Sequence, residues 1–516
     1  MLEQIRKWAD GRGERQIYWL KGMAGTGKST IALTIAREYF DKGRLGASFF
    51  FSRGRSDLAS VKKFAFTIAS QLREILPEFR RQIDDTLLSN QEVHNLGLCD
   101  QWDILICQPL SKIDQNPFSS PLVLIVDALD ECDNEDDVRL LIQCLASATM
   151  IDSIQLRIFV TSRPDQSINF GFGDISREIH LDLNLHDIEQ SIVDHDLCLY
   201  YRDRLGDIAR RSDLGQSDIS EPNIHLLVRK SAGLFIHAAT VCQFIREGKQ
   251  LASERLSLLL DVGSLPIAPE KELDKMYTTV LSHSLPKKFD NNERTRLQDL
   301  FSHVIGSIVM LFDTMSPESL AIMLNESRLK INSMLNHLRS VLDIQEQDND
   351  RIRILHPSFR DFLLDSERCS DQMFLIDTEG THYYLLDCCL RLMSSHLRKN
   401  MCDLQQPGTR AGKISRSDVD KNIPLPVQYA CCYWVYHLRQ SNVDPTDHSG
   451  IHDFFKTRFL FWLEALSLIG RLSDSITMIE IIEAMLPVSR NHFLNEMLTL
   501  TNQRMLLLAF RHSSLG

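Results

Sequence analysis

No stretch of this 516-residue chain approaches the roughly 18–20 consecutive apolar residues that a membrane helix needs. The opening residues, Met1-Leu2-Glu3-Gln4-Ile5-Arg6, lack the apolar core of a secretory signal. Among 12 cysteines there is no C-x-x-C pair and no zinc-like Cys/His spacing, so local redox and structural-zinc motifs are absent. The adjacent pairs Cys388-Cys389 and Cys431-Cys432 fall on apolar, helical-looking stretches and read as buried small hydrophobes rather than redox or metal sites. Reduced thiols suit a cytoplasmic protein, and that location is expected. Basic excess is missing as well. A formal charge of −12 argues against broad nucleic-acid binding, and no nucleic-acid partner is expected. No repeat of 20–50 residues marks a solenoid or propeller. What remains is an ordinary globular composition, 43% hydrophobic and 24% charged, with length for about three or four domains.

The strongest positive signal is Gly22-Met23-Ala24-Gly25-Thr26-Gly27-Lys28-Ser29, which fits G-x-x-x-x-G-K-[ST]. It follows the apolar run Ile17 to Leu20 and opens a helical pattern in which Ile31, Ile35 and Tyr39 share a face. Gly22, Gly25 and Gly27 let backbone N–H groups turn around phosphate oxygens. The helix N-terminus, with Thr26 and Thr30 beside it, adds unpaired donors. Lys28 supplies a charge for the outer phosphates, and the Ser29 hydroxyl is a Mg²⁺ ligand. The chain is expected to bind a nucleotide.

Further apolar runs, Ala47 to Phe51, Leu122 to Val126 and Ile158 to Val160, alternate with helical segments such as Leu58 to Leu76. Unbroken apolar strands between helices predict a parallel sheet covered on both faces, with ligands at the strands' carboxyl ends. Asp127 ends one run, where a carboxylate holds Mg²⁺. Asp130 and Glu131, three and four residues on, either orient or deprotonate an attacking water or belong to the solvated acidic start of the next helix. Arg163 ends another run and either meets the terminal phosphate or pairs with a carboxylate at a domain seam. His356 lies between a strand-like and a helical segment, where a histidine is usually structural. Strand signals fade after about residue 184, and His186 to Leu260 reads as helical. Val262 to Pro269 reads as a linker. Residues 270–365 read as short helices with one β-like segment, Arg351 to Leu355, an order that suits a winged helix. Residues 366–516 read as all-helical, interrupted by a polar loop from Asp403 to Pro426.

Together, YWLKGMAGTGKSTIA (18–32), ASFFFSRG (47–54), LVLIVDALDEC (122–132), IFVTSRPD (158–165), GLFIHAATVCQFI (233–245), LHPSFRDFLLD (355–365) and YACCYWVYHL (429–438) resemble NACHT-type STAND NTPases, in particular the filamentous-fungal NOD-like proteins. The resemblance runs almost end to end. It implies an α/β P-loop NTPase core followed by helical, winged-helix and second helical domains. The boundaries expected are 1–184 for the NACHT core, 185–262 for the small helical domain, 263–365 for the winged-helix-like domain and 366–516 for the C-terminal helical domain. It implies a signalling switch that binds ATP or ADP (GTP being possible) with Mg²⁺, hydrolyses slowly if at all, and assembles into a homo-oligomer when activated. In that picture Arg163 is the sensor and His356 the winged-helix histidine that reaches the diphosphate. Gly233-Leu234-Phe235 replaces a G-x-P element, and Phe235 either stacks on the base or packs the helical domain. Ala128 stands where many animal relatives have glycine, a small-for-small change. The effector and repeat-sensor modules of such receptors are expected outside this chain, and their identities are unknown. The alternative is an active ATPase or GTPase of motor- or chaperone-like type.

Overall fold

The computed structural model describes residues 1–516 except 12, 14, 56, 91, 114–119, 216, 262–267, 285–290, 345–350, 405–413, 446–447 and 486–516. Most of the linker expected at 262–269, part of the polar loop and the end of the 366–516 stretch therefore lie outside the described residues. The chain folds as two compact units. One comprises Met1–Leu285 with Arg339–Val341 and Ile354–Phe362; the other comprises Pro286–Leu338, Leu342–Arg353 and Leu363–Gly516.

The first unit is built on a five-stranded sheet of β1 (Ile17–Lys21), β2 (Leu45–Phe50), β3 (Leu122–Asp127), β4 (Leu156–Ser162) and β5 (His180–Asn184), in the order β2-β3-β4-β1-β5. Every neighbouring pair is parallel. Period-two alternation sends successive residues to opposite faces. Trp19, Leu124, Val126, Ile158 and Val160 join the core formed with helices Phe64–Ile75 and Glu135–Ala148. Tyr18, Leu20, Val123, Ile125 and Phe159 join the opposite core with α1 (Leu2–Asp10) and α2 (Lys28–Asp41). Both faces are thus dry, which is why these strands read as unbroken apolar runs. Each such side chain contributes about 1.5–3 kcal/mol by leaving water. β5 carries no comparable run, because it is an edge strand with His180 and Asp182 in it.

The register places the site. β4 lies between β1 and β3, so its end abuts both the glycine loop and Asp127. Gly22 N–H donates to the Ser162 carbonyl (3.3 Å), and Trp19 Nε1 donates to Ser162 Oγ (2.8 Å). Helices Gln190–Ala209, Glu221–Ser231, Phe235–Gly248, Ala252–Asp261 and Pro269–Ser284 complete the unit.

The second unit is largely helical. The remaining described strands are the two-residue pieces β6 (Leu342–Asp343), in this unit, and β7 (Arg353–Ile354), one residue of which falls in each unit, so the β-like segment expected over Arg351 to Leu355 is shorter than its pattern. The helices expected to be short include Asn291–Met310, of 20 residues. The polar loop contains a helix, Arg416–Asn422, capped by Ser415 accepting from Asp418 N–H. Helices Thr378–His396 and Leu425–Gln440 pack together and bury Cys388, Cys389, Cys431 and Cys432 as apolar filling.

Candidate functional site

A cavity of about 1080 Å³ in the first unit is lined by Gly25 through Thr30, Asp130, Glu131, Arg163, Phe235 and His356. Gly22 and Asp127 are not in its wall, but each bonds to a residue that is. Lys28 Nζ donates to the Gly22 and Met23 carbonyls (2.7 and 2.9 Å). Asp127 accepts from the hydroxyls of Ser29 and Thr161.

The loop's shape depends on glycine at two positions. Gly25 has φ +78° and Gly27, which caps α2, has φ +92°. A Cβ on Gly25 would lie 2.0 Å from Ile236 Cγ2. Ile236 N–H also donates to the Gly25 carbonyl (3.1 Å), so the start of helix Phe235–Gly248 is pinned to the loop. Phe235 is the first residue of that helix, the position where proline is favoured, so replacement of a proline there keeps the helix start. Its ring meets Tyr200 edge-on, centroids 6.4 Å apart, on the cavity wall.

Asp127 is buried, and burial raises its pKa against the hydrogen bonds from Thr161 and Ser29. Thr161 is oriented by the backbone, since its Oγ1 accepts from Ala128 N–H (3.0 Å) and donates to Asp127. A Ser29 hydroxyl bonded to a carboxylate is an oxygen pair of the kind Mg²⁺ takes. Among the described residues no three His, Cys, Asp or Glu side chains gather to hold a metal alone, so phosphate and water oxygens would supply the other ligands. Ala128 itself has φ +57°, in the left-handed region. The exchange of glycine for alanine at this position therefore carries backbone strain, contrary to the small-for-small expectation.

The two carboxylates after Asp127 part company with the acidic run behind them. Asn134 caps helix Glu135–Ala148, and Glu135, Asp136 and Asp137 form its first turn. Asp130 and Glu131 lie earlier, in the tight turn Leu129–Glu131. Glu131 accepts from Arg53 N–H (3.1 Å), and burial pushes its pKa up to about 7. Asp130 is held by Arg163 twice, through the backbone N–H and through Nε, both at 3.0 Å. Arg163 Nη1 reaches on to Asp361 Oδ2 (2.7 Å). Burial works against the Arg163 charge, yet Asp361 and Asp130 outweigh it and hold its pKa above the ordinary value. Of the two readings of Arg163, the structure contains the carboxylate pairing, at the cavity's edge.

His356 lies at the same cavity, before Pro357, which starts helix Pro357–Leu364. Its Nδ1 accepts from Ser358 N–H (3.1 Å) and is 2.8 Å from Ser358 Oγ, which in turn meets Tyr277 OH at 2.8 Å. An accepting Nδ1 leaves the ring proton on Nε2. Burial, then the Arg163 and Lys28 charges, depress the His356 pKa to about 3, so the ring is a neutral donor at pH 7. Arg53, Thr161, Tyr277 and Asp361 escaped the sequence reading. Arg53 and Thr161 stand at or just past strand carboxyl ends, a signal that was available; Tyr277 and Asp361 had none.

A family model for the N-terminal region of nephrocystin 3 matches residues 2–163. The vegetative incompatibility protein HET-E-1 of Podospora anserina is 27% identical over 519 aligned residues, 94% of this chain. The chain is similar to NACHT-like proteins of the fungal NOD-like receptor type. It spans 35% of the length of HET-E-1. Among solved structures, Cdc6p from Pyrobaculum aerophilum is 15% identical, covering 68% of this chain and 88% of that one at a TM-score of 0.30. Drosophila ORC bound to DNA is 14% identical, covering 66% and 86%, at 0.31. Scores this low carry no argument; the α/β P-loop assignment of the NACHT-like chain rests on its parallel sheet and glycine loop.

Two substitutions test this geometry. Gly25→Ala should lower nucleotide affinity at least tenfold, because left-handed strain of about 1–2 kcal/mol adds to the Ile236 clash. Calorimetric titration giving parental affinity would show that the loop tolerates a side chain. Ala128→Gly should relieve about 1 kcal/mol, raising the first unfolding midpoint by roughly 2–4 °C. A lower midpoint in scanning calorimetry would refute strain at this turn.

Proposed function

We propose that this NACHT-like chain is a nucleotide-gated switch that binds ATP or ADP with Mg²⁺. The observation carrying this reading is one cavity lined by a phosphate-type loop, the start of a helix from the following helical segment, and His356, more than 300 residues downstream of the loop. In this reading Gly22 to Thr30 cradle the phosphates, Lys28 faces them, and Ser29 and Asp127 hold the metal. Mg²⁺ would neutralise phosphate charge. His356 Nε2–H donates to a phosphate oxygen and Phe235 borders the base. HET-E-1 is named a vegetative incompatibility protein, which supports a role in fungal non-self recognition or programmed cell death. Self-assembly on activation, with effector and sensor partners outside this chain, belongs to the same proposal, as does a cytoplasmic location. Among the described residues no helix is long and apolar enough to cross a membrane.

One observation favours the alternative, an active ATPase or GTPase. Glu131, with a pKa of about 7, is suited to accept a proton from water near neutrality. Turnover separates the readings. A switch should hydrolyse well below about 1 s⁻¹, the low end of ordinary enzyme rates, and sustained hydrolysis above that would sink it. Whatever hydrolysis occurs should rise with pH through about 7 as Glu131 ionises, and Glu131→Gln should flatten that profile.

Lys28→Ala should weaken triphosphate binding roughly ten- to hundredfold, the worth of a charged hydrogen bond to phosphate. Unchanged affinity would mean that the loop is unused. Release of segment 354–362 should follow acid. With the packed His356 pKa at about 3 and the ordinary value at 6.5, only the released ring takes up a proton in that interval. The packed arrangement is therefore fully favoured above pH 6.5 and loses ground as pH falls towards 3. Amide exchange in 354–362, corrected for intrinsic rate, should quicken on acidification in the parent and not in His356→Gln; equal behaviour would assign the effect elsewhere.

A further inference from the structure

Away from the nucleotide cavity, two cysteines distant in sequence meet on the flank of the sheet. Cys99 lies in the short helix Leu98–Trp102, and Cys144 lies in helix Glu135–Ala148. The Cys144 thiol points at the Cys99 sulfur, with Sγ to Sγ 3.6 Å. The two sites differ in a way that matters for thiol chemistry. Cys99 is exposed to solvent, whereas Cys144 is 4% exposed. Burial, reinforced by the neighbouring Cys99 and Cys107, pushes the Cys144 thiol up. Cys107 stands nearby, its sulfur 3.8 Å from Ser147 Oγ, and is half-buried.

We propose that Cys99 and Cys144 form a reversible thiol modification site whose co-reactant is a small-molecule disulfide. The sulfurs sit at van der Waals separation, so side-chain rotation and a small helix adjustment bring them to bonding distance. The exposed Cys99 thiolate attacks one sulfur of the disulfide RSSR. A Cys99–SR mixed disulfide forms, one RS⁻ leaves, and the Cys99 proton goes to solvent or to RS⁻. Cys144 then loses its proton and attacks Cys99 Sγ. The protein S–S bond forms as the second RS⁻ departs, so two thiols are oxidised while one RSSR is reduced to two RSH. The order follows from access, since Cys99 is exposed to RSSR while Cys144 is buried against Cys99. Cys107 has a hydroxyl partner instead and is not the resolving thiol.

The bond would tie the helix that follows the Asp127 to Glu131 segment to a helix that sequence places before β3. It would close a long loop and so restrict the unfolded chain. The site makes no use of the nucleotide and stands or falls independently of the switch.

The full chain, reduced and then freed of reductant, is incubated in the native state with glutathione disulfide, its remaining thiols are alkylated, and it is analysed by intact mass and peptide mapping. The parent should lose two hydrogens and yield a Cys99–Cys144 cross-linked peptide that dithiothreitol reverses. Cys107→Ser should behave as the parent. Cys144→Ser should accumulate one glutathione on Cys99, and Cys99→Ser should leave Cys144 alkylatable only after unfolding. The oxidised parent should also melt at a higher temperature than the reduced form. A parent that stops at a glutathione adduct on Cys99, that links Cys107 instead, or that leaves Cys99 unmodified would overturn the proposal. A folded Cys99→Ser whose Cys144 still gains glutathione would overturn the order of steps.

Discussion

Arg163 ties together parts of the first unit that lie far apart in sequence. Its guanidinium joins Asp130, just past β3, to Asp361, which lies 198 residues beyond Arg163 itself. A planar fork with fixed donors suits two carboxylates at once, which a lysine point charge would not. The side chains are only partly exposed, 23% for Arg163 and 7% for Asp130, so water screens this contact less than it screens a surface pair. Remove the arginine and both carboxylates lose the partner they share.

Other contacts fall into place around that pairing. β4 ends between β1 and β3, and Thr161, Ser162 and Arg163 at its end each meet a different neighbour. Thr161 fixes Asp127, Ser162 anchors Trp19 and Gly22, and Arg163 fixes Asp130. A single strand terminus therefore supports the loop, the Asp127 carboxylate and the turn behind it. On the far side, Tyr277 reaches Ser358 and packs at a tilt against Phe359 and Phe362 (centroids 5.1 and 5.4 Å), holding the residue whose N–H donates to His356 Nδ1.

What was legible in the sequence divides along the same line. The glycine loop, the strand before it, the helix after it and the parallel sheet are local patterns of spacing and hydropathy, and they could be read directly. β5 could not, because an edge strand with polar residues has no continuous apolar run. Ala128 shows a different limit: its identity is visible, while its left-handed φ is imposed by the turn between Asp127 and Leu129. The carboxylates 130 and 131 separate from the helix-capping run 134–137 only once Asn134 is seen to cap. The partner of Arg163 is a matter of folding over 198 residues, and no spacing rule reaches that far.

The two alternatives left open for Arg163 are connected by its donor count. Nε and the backbone N–H serve Asp130, and Nη1 serves Asp361. In the proposed switch, a terminal phosphate offered to this guanidinium would compete with Asp361 more readily than with the doubly held Asp130. Gain of phosphate and loss of the Asp361 contact would then be one event. A diphosphate that ends short of Arg163 would leave the pair intact. Such competition supplies the differential affinity that any ligand needs in order to shift an equilibrium between two arrangements. It also gives the carboxylate pairing a role beyond holding a seam, since the contact that favours the packed segment is the one a third phosphate would have to break.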